Sequence, residues 1–291
     1  MAQFVALLAS GLAFGMIVAL VAVGFLLLYK ATGVVNFAHG DLVTLGAYFA
    51  IWAITDLGLP TIPGYALALV MMFIVGVVIE RVAYAPLRRR SQLVVVIATL
   101  AAALGIRAVL ALWQGSTPKS LPTPVGNGTV SILGANIAQQ RIVIVVVAAV
   151  VIGVLLLVFR TTSIGRQVRA LASDGEMSQL TGVRERLVSS MAFGLSAVLA
   201  GLAGILIGPL NQVDLNFGFG IMLTAFAAAV LGGFGSLGGV VVGGLLIGLV
   251  QQLLGGYVLR EYADTLPFVL MFLIIAFRPQ GLFATGGRTR L

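Results

Sequence analysis

The chain has 291 residues, 60% of them hydrophobic and only 9% charged, with a mean hydropathy of +1.14. A soluble globular domain carries about 25% charged residues, so this composition places most of the chain in lipid. The net charge of +8 does not point to nucleic acid, because the basic residues lie in short loops between apolar runs and read as topology signals. The chain has no cysteine, which excludes disulfides and thiolate metal sites.

In chain order, residues 4–29 hold no charge, and the run exceeds the roughly 20 residues needed to cross about 30 Å of hydrocarbon. It lacks a basic n-region and a small-residue cleavage site, so it reads as a first transmembrane helix and not a signal peptide. Further apolar runs predict spans at 35–54, 64–83, 93–113, 142–159 and 187–207. The last third predicts two to three more, near 219–231, 238–255 and 266–277. Two of these are short for a full crossing, which suggests a broken or re-entrant element. The expectation is one all-α polytopic membrane domain over residues 1–291, with about 8–9 transmembrane helices. Continuous apolar runs without period-2 alternation argue against a β-barrel.

Thirteen of the 17 basic residues fall at one set of span ends: Lys30, Arg81, Arg88, Arg89, Arg90, Arg160, Arg166, Arg169, Arg184, Arg186, Arg278, Arg288 and Arg290. The positive-inside rule makes that side cytoplasmic, the N-terminus external and the C-terminus cytoplasmic. Lys119, Arg141 and Arg260 lie on the other side, and Arg107 falls within a span. Trp52, Trp113, Tyr84 and Tyr257 sit near span ends, where aromatic belts form.

Two loops are long enough to hold function. The outer one, 114–140, is rich in proline and glycine and reads as irregular, suited to touching a soluble partner or to a passive connection. Within the cytoplasmic one, 160–186, Ser173 and Glu176 stand at the spacing of a capping box. A helix is expected to start at Asp174 and to end with Gly182 at a left-handed position. A second short helix precedes it around 165–172, with Arg166, Arg169, Asp174 and Glu176 toward solvent and Val168, Leu171 and Leu180 on the apolar face. Helices so short are marginal alone in water, so either the membrane domain or a cytoplasmic partner holds them.

The stretch "NFAHGDLVTLGAY" (36–48) puts Asn36, His39 and Asp41 at the start of an apolar run. Ionisable groups in a span are functional candidates. Polar residues ahead of an apolar run also suit helix capping, and a broken helix places its end beside a substrate route. His39 is the sole histidine, so no metal set forms around it. Neither lysine has the glycine context of a phosphate-binding loop, so the energy for transport must come from another chain or from an ion gradient. Catalysis by this chain is not expected. Glu80 and Arg81 end a span and suit pairing or snorkelling, while Gln251 and Gln252 suit bonds across helices. Small residues at Gly235/Gly239/Gly243 and Ser196/Ala200/Gly204/Gly208 repeat every four, as close helix packing in lipid requires.

Four motifs occur in order: "NFAHGDLVTLGAY", "GRQVRALASDGEMSQLTGV" (165–183), "AAVLGGFGSLGGVVVGG" (228–244) and "RPQGLF" (278–283). Together they make the chain, over nearly its whole length, similar to permease subunits of branched-chain amino-acid ABC importers of the leucine/isoleucine/valine type. The resemblance implies a multi-pass subunit of the bacterial inner membrane that passes amino acids delivered by a periplasmic binding protein. It pairs with a second, related permease and carries no cofactor of its own, the ATP being used by two ATPase subunits on the cytoplasmic side. The family's coupling-loop motif matches at Gly165, Arg169, Ala170 and Gly182, with Asp174 and Glu176 between them. Its frequent alanine is replaced here by Met177 or Ser178. Permeases for urea, amides or other amino acids share this architecture, and a proton-coupled transporter using His39 and Asp41 is the alternative outside the family.

Overall fold

In lipid every peptide group must be hydrogen-bonded inside the protein, so long uncharged runs become helices. The computed structural model describes residues 1–88, 90–126, 128–173, 185–257, 260–278 and 281–283. Ten α-helices occur among them: α1 (Ala2–Thr32), α2 (His39–Thr55), α3 (Thr61–Ile79), α4 (Gln92–Gln114), α5 (Gln139–Thr161), α6 (Ser163–Ser173), α7 (Glu185–Ile207), α8 (Phe217–Gly232), α9 (Leu237–Tyr257) and α10 (Leu266–Phe277). Six segments are long and apolar enough to cross a membrane, and α8 and α10 are shorter apolar helices. The protein is an all-α, multi-pass membrane protein.

Helix α1 is the axis of the bundle. From Ile17 to Val23 it has no exposed side chain, being wrapped by α5, α7, α8 and α9. The closest approach, to α9, needs glycine. A side chain at Gly248 would strike the Gly15 backbone, and one at Gly244 would meet Ala19 Cα at 2.7 Å. Gly11, Gly15 and Ala19 thus face Gly244 and Gly248 at four-residue spacing, the geometry of small-residue helix contacts in lipid. Helix α7 is the second buried axis and holds α2 and α3, backbone against backbone where Gly46 meets Gly201. The four-residue repeats noted above serve here too: Gly239 and Gly243 pack on α8, and Gly204 packs on Val43 of α2. The outer helices keep apolar faces exposed, with Leu104 and Leu112 on α4, Val150 and Leu157 on α5, and Phe272 on α10.

Several elements differ from the sequence expectation. The outer loop is not wholly irregular: β1 (Thr129–Ile132) and β2 (Ala135–Ala138) form an antiparallel hairpin, with Ile132 opposite Ala135. Its two-residue turn, Leu133–Gly134, has positive φ at both positions, as a primed turn requires. Leucine is a rare first residue there, so the usual Asn-Gly or Asp-Gly signal was absent. The same loop is pinned to residues 208–216 by paired backbone bonds between Lys119 and Val213. Tyr84 is buried against Phe193 of α7 and does not join an aromatic belt. A π-helical turn (Glu80–Tyr84) ends α3, and Glu80 lies inside the bundle. Its carboxylate accepts hydrogen bonds from Ser189 Oγ (2.9 Å) and Ser190 Oγ (2.8 Å), with Arg81 Nε 3.5 Å away. Gln251 donates to Asp264 Oδ1 at 3.2 Å. Helix α6 lies against α1 and α5, and a side chain at Gly165 would strike the Phe159 carbonyl.

Gly248→Val places two methyl groups on the Gly15 backbone, an overpacking worth about 3 kcal/mol. Gly153→Val adds the same bulk on an open face of α5. Fluorescence-detected size-exclusion and melting in detergent are expected to show loss of folded Gly248→Val and an intact Gly153→Val. Equal behaviour of the two contradicts the α1–α9 packing.

Candidate functional site at a buried helix start

Helix α1 ends when Gly33 takes φ 71° and donates back to the Tyr29 carbonyl, a left-handed C-terminal cap. The chain then turns back along α1 without helical structure, and α2 begins only at His39. The His39 ring reaches Val21 and Gly24 of α1. Val21 is nine residues before Lys30, so the start of α2 stands about 13 Å inside the last turn of α1. The span predicted from residue 35 is therefore a shorter helix that opens within the membrane.

A helix start there places amides where lipid offers no partners. No side chain caps α2 itself, but side chains meet the amides just ahead of it and one at the neighbouring start of α8. Asn36 Oδ1 accepts the Ala38 amide at 3.0 Å, and Thr99 Oγ of α4 accepts the Phe37 amide at 3.3 Å. Thr44 Oγ accepts the Gly218 amide at 2.9 Å, meeting one of the open donors of the first turn of α8. Both short helices thus start beside each other, and Gly40 and Gly218 allow the contact: a side chain at Gly218 would strike the Gly40 carbonyl. Asn36 is buried, and its Nδ2 has no hydrogen-bond partner among the described residues.

His39 is fully buried. Its Nε2 lies 3.1 Å from the Val21 carbonyl, which can only accept, so Nε2 carries the proton. Ser196 Oγ of α7 lies 3.3 Å from Nδ1 and donates to it. Phe25 meets the ring edge-on. The imidazole thus ties α1, α2 and α7 together with both nitrogens satisfied.

Asp41, in the first turn of α2, is 3% exposed. Helix starts favour a negative charge, but a carboxylate away from water also needs a counter-charge. Arg107 of α4 provides it: Nε lies 2.5 Å from Oδ1 and a terminal nitrogen 3.5 Å from Oδ2. The guanidinium also lies 5.3 Å from the centre of the Phe219 ring on α8. The Arg107 side chain is 29% exposed, and Phe219 and Gly220 beside it are open. One face of α4 and α8 therefore presents a cation and an aromatic ring next to a buried carboxylate.

Among the predicted residues, Asn36, His39 and Asp41 come together at this break. Gly165, Arg169 and Ala170 lie on α6, with Arg169 bonded to the Phe159 carbonyl. Asp174, Glu176 and Gly182 lie outside the described residues. Thr44, Thr99, Ser196 and Phe219 were not foreseen as members of the site. Arg107 was noted without a partner; the signal was a lone cation and a lone acid in two spans, which lipid forces to meet.

Fold and site together define a polytopic membrane protein with a polar interruption inside its bundle. Residues 7–275 match the family described as branched-chain amino acid transport system / permease component. The chain is 35% identical over 288 residues to the high-affinity branched-chain amino acid transport system permease protein BraD of Pseudomonas aeruginosa, covering 94% of each. It is 31% identical over 286 residues to LivH of Escherichia coli K12, covering 94% of this chain and 93% of that one. A shorter match, 27% over 124 residues, is to the ribose import permease protein RbsC of Haemophilus influenzae, covering 40% of this chain and 38% of that one. The protein belongs to the branched-chain amino acid transport permease family.

Arg107→Gln leaves the buried Asp41 carboxylate unpaired, at a cost of about 3 kcal/mol, while Asp41→Asn leaves the part-exposed Arg107 without its counter-charge and costs less. The double variant leaves neither charge and is expected to cost about 2 kcal/mol less than the sum of the singles. Unfolding in detergent measures this cycle; strict additivity contradicts the pairing.

Proposed function

We propose that this chain is the membrane-spanning subunit of an ATP-driven importer and passes branched-chain amino acids through the bacterial inner membrane. The single observation that carries the reading is the end-to-end likeness to BraD and LivH, on a bundle whose polar break carries charges of both signs beside open apolar surface. A leucine-like substrate is a zwitterion with an apolar branch, and a route past Asp41, Arg107 and Phe219 offers chemistry for each part. Asn36, His39 and Asp41 act first as the frame of the break and, through Arg107, as its wall.

In this reading the basic span ends face the cytoplasm, the N-terminus lies outside and the C-terminus inside. Two ATPase subunits dock on the 160–186 loop, of which α6 is the described part, and a binding protein delivers substrate to the outer face. A second, related permease completes the route. The chain holds no cofactor and hydrolyses no ATP, in keeping with Lys30 and Lys119 being outside any phosphate-loop pattern. In this reading His39 and Asp41 carry no protons and serve as structural ties, His39 to Val21 and Ser196 and Asp41 to Arg107.

The test is uptake into proteoliposomes. With a paired permease, ATPase subunits, binding protein and ATP, labelled leucine, isoleucine or valine is expected to accumulate without any ion gradient. The purified chain alone is expected to accumulate none. Accumulation by the chain alone, or uptake of urea or ribose in preference to leucine, sinks the proposal.

A further inference from the structure

Where α1, α5, α6 and α9 meet at their basic ends, the surface holds a groove of about 230 Å³. Lys30 from α1, Arg160 from the end of α5 and Arg169 from α6 line it together. Among the described residues no aspartate or glutamate lines it, and Phe159 and Leu237 form apolar walls. Lys30 Nζ donates to the Gly235 carbonyl at 2.9 Å, and Arg169 donates to the Phe159 carbonyl, so each is held in place with further N–H groups left over. The Arg160 guanidinium has no partner among the described residues. Helix α9 opens at the groove with Ser236 and Leu237, adding the positive end of its dipole. Outward of the groove, Leu157 on α5 and Val242 and Leu246 on α9 are exposed.

We propose that this groove binds the phosphate headgroup of an anionic phospholipid, with the acyl chains lying on the exposed faces of α5 and α9. With no acid among the described lining residues, the three cations present unmet positive charge, and a phosphate diester supplies the opposite charge with oxygen acceptors. The position selects a lipid over a soluble anion. Lys30 and Arg160 close the transmembrane helices α1 and α5, so the groove lies at the headgroup layer and continues into apolar surface. Basic pockets between helices at a membrane's edge recognise such headgroups. The inference is independent of which substrate the transporter carries.

Native mass spectrometry of the full-length protein, released from nanodiscs of equal parts phosphatidylglycerol and phosphatidylcholine, reads the site directly. The wild type is expected to retain phosphatidylglycerol in preference to phosphatidylcholine. Arg160→Gln is expected to lower that retention about fivefold, matching the roughly 1 kcal/mol that one basic residue contributes at an anionic surface. Arg160→Lys should restore most of it. Arg81→Gln, a cation at the same membrane face outside the groove, should leave it unchanged. Equal retention of the two lipids, or equal losses in Arg160→Gln and Arg81→Gln, overturns the site. Displacement of the lipid by millimolar inorganic phosphate as readily as by short-chain phosphatidylglycerol assigns the groove to free phosphate instead and overturns the lipid. Displacement on adding the ATPase subunits makes the groove a protein contact and does the same.

Discussion

A helix that begins inside hydrocarbon must bring its own partners, because lipid offers none to an open amide. Much of the arrangement around α2 follows from that one constraint. Asn36 serves the Ala38 amide, Thr99 serves Phe37, and Thr44 serves Gly218 at the start of α8. The Thr44–Gly218 bond is possible because Gly40 and Gly218 let α2 and α8 approach closely. The first-turn carboxylate of Asp41 suits the positive end of α2, yet it cannot be left without a counter-charge. Arg107 meets that need and in doing so fixes α4, an otherwise lipid-facing helix, against α2.

The same economy of space governs the two buried axes. Helices in lipid gain little from the hydrophobic effect, so close packing and interhelical hydrogen bonds hold them. Along α1 the contact with α9 is made by Gly11, Gly15 and Ala19 against Gly244 and Gly248. Along α7 the contacts combine both kinds: Gly201 against Gly46, Ser196 to His39, and Ser189 with Ser190 around Glu80. Glu80 sits in a π-helical turn, an irregularity that shifts the following residues around the helix. A buried acid tied by two hydroxyls makes the α3–α7 joint polar, while the α1–α9 joint is apolar and tight. This chain thus builds an inner pair of buried axes, α1 and α7, and hangs less buried helices on them.

Much of this was legible in the sequence, for identifiable reasons. Long uncharged runs have one outcome in lipid, so α1, α3, α4, α5, α7 and α9 lie within a few residues of the predicted spans. Composition also separated the lipid-exposed chain from any soluble fold. What escaped were features decided by pairing across the bundle. The polar residues from Asn36 suited a capped start or a break, but they do not place it at His39, since Val34 and Val35 are as apolar as the helix that follows; the start is set by contacts to α1, α4 and α8. The Asp41–Arg107 pair spans 66 residues, and only the cost of an unpaired charge could have suggested it. The Gly11/Gly15/Ala19 face was hidden by the number of glycines, 37 in all, which makes any four-residue repeat common. The hairpin escaped because Leu133 takes a positive φ that its side chain does not advertise.

The proposed route makes one demand on the open face beside Arg107: water must reach it while the transporter works. The chain has no cysteine, and Gly220 has open space where a side chain would stand. A single Gly220→Cys change therefore gives a clean reporter of that face. Its reaction with a charged, membrane-impermeant thiol reagent is to be followed in the assembled transporter, with and without ATP and leucine. The account predicts aqueous labelling that speeds during ATP turnover and slows when leucine is bound. Labelling only by a lipid-soluble reagent, unchanged by ATP or leucine, would put this face in the bilayer and contradict the account.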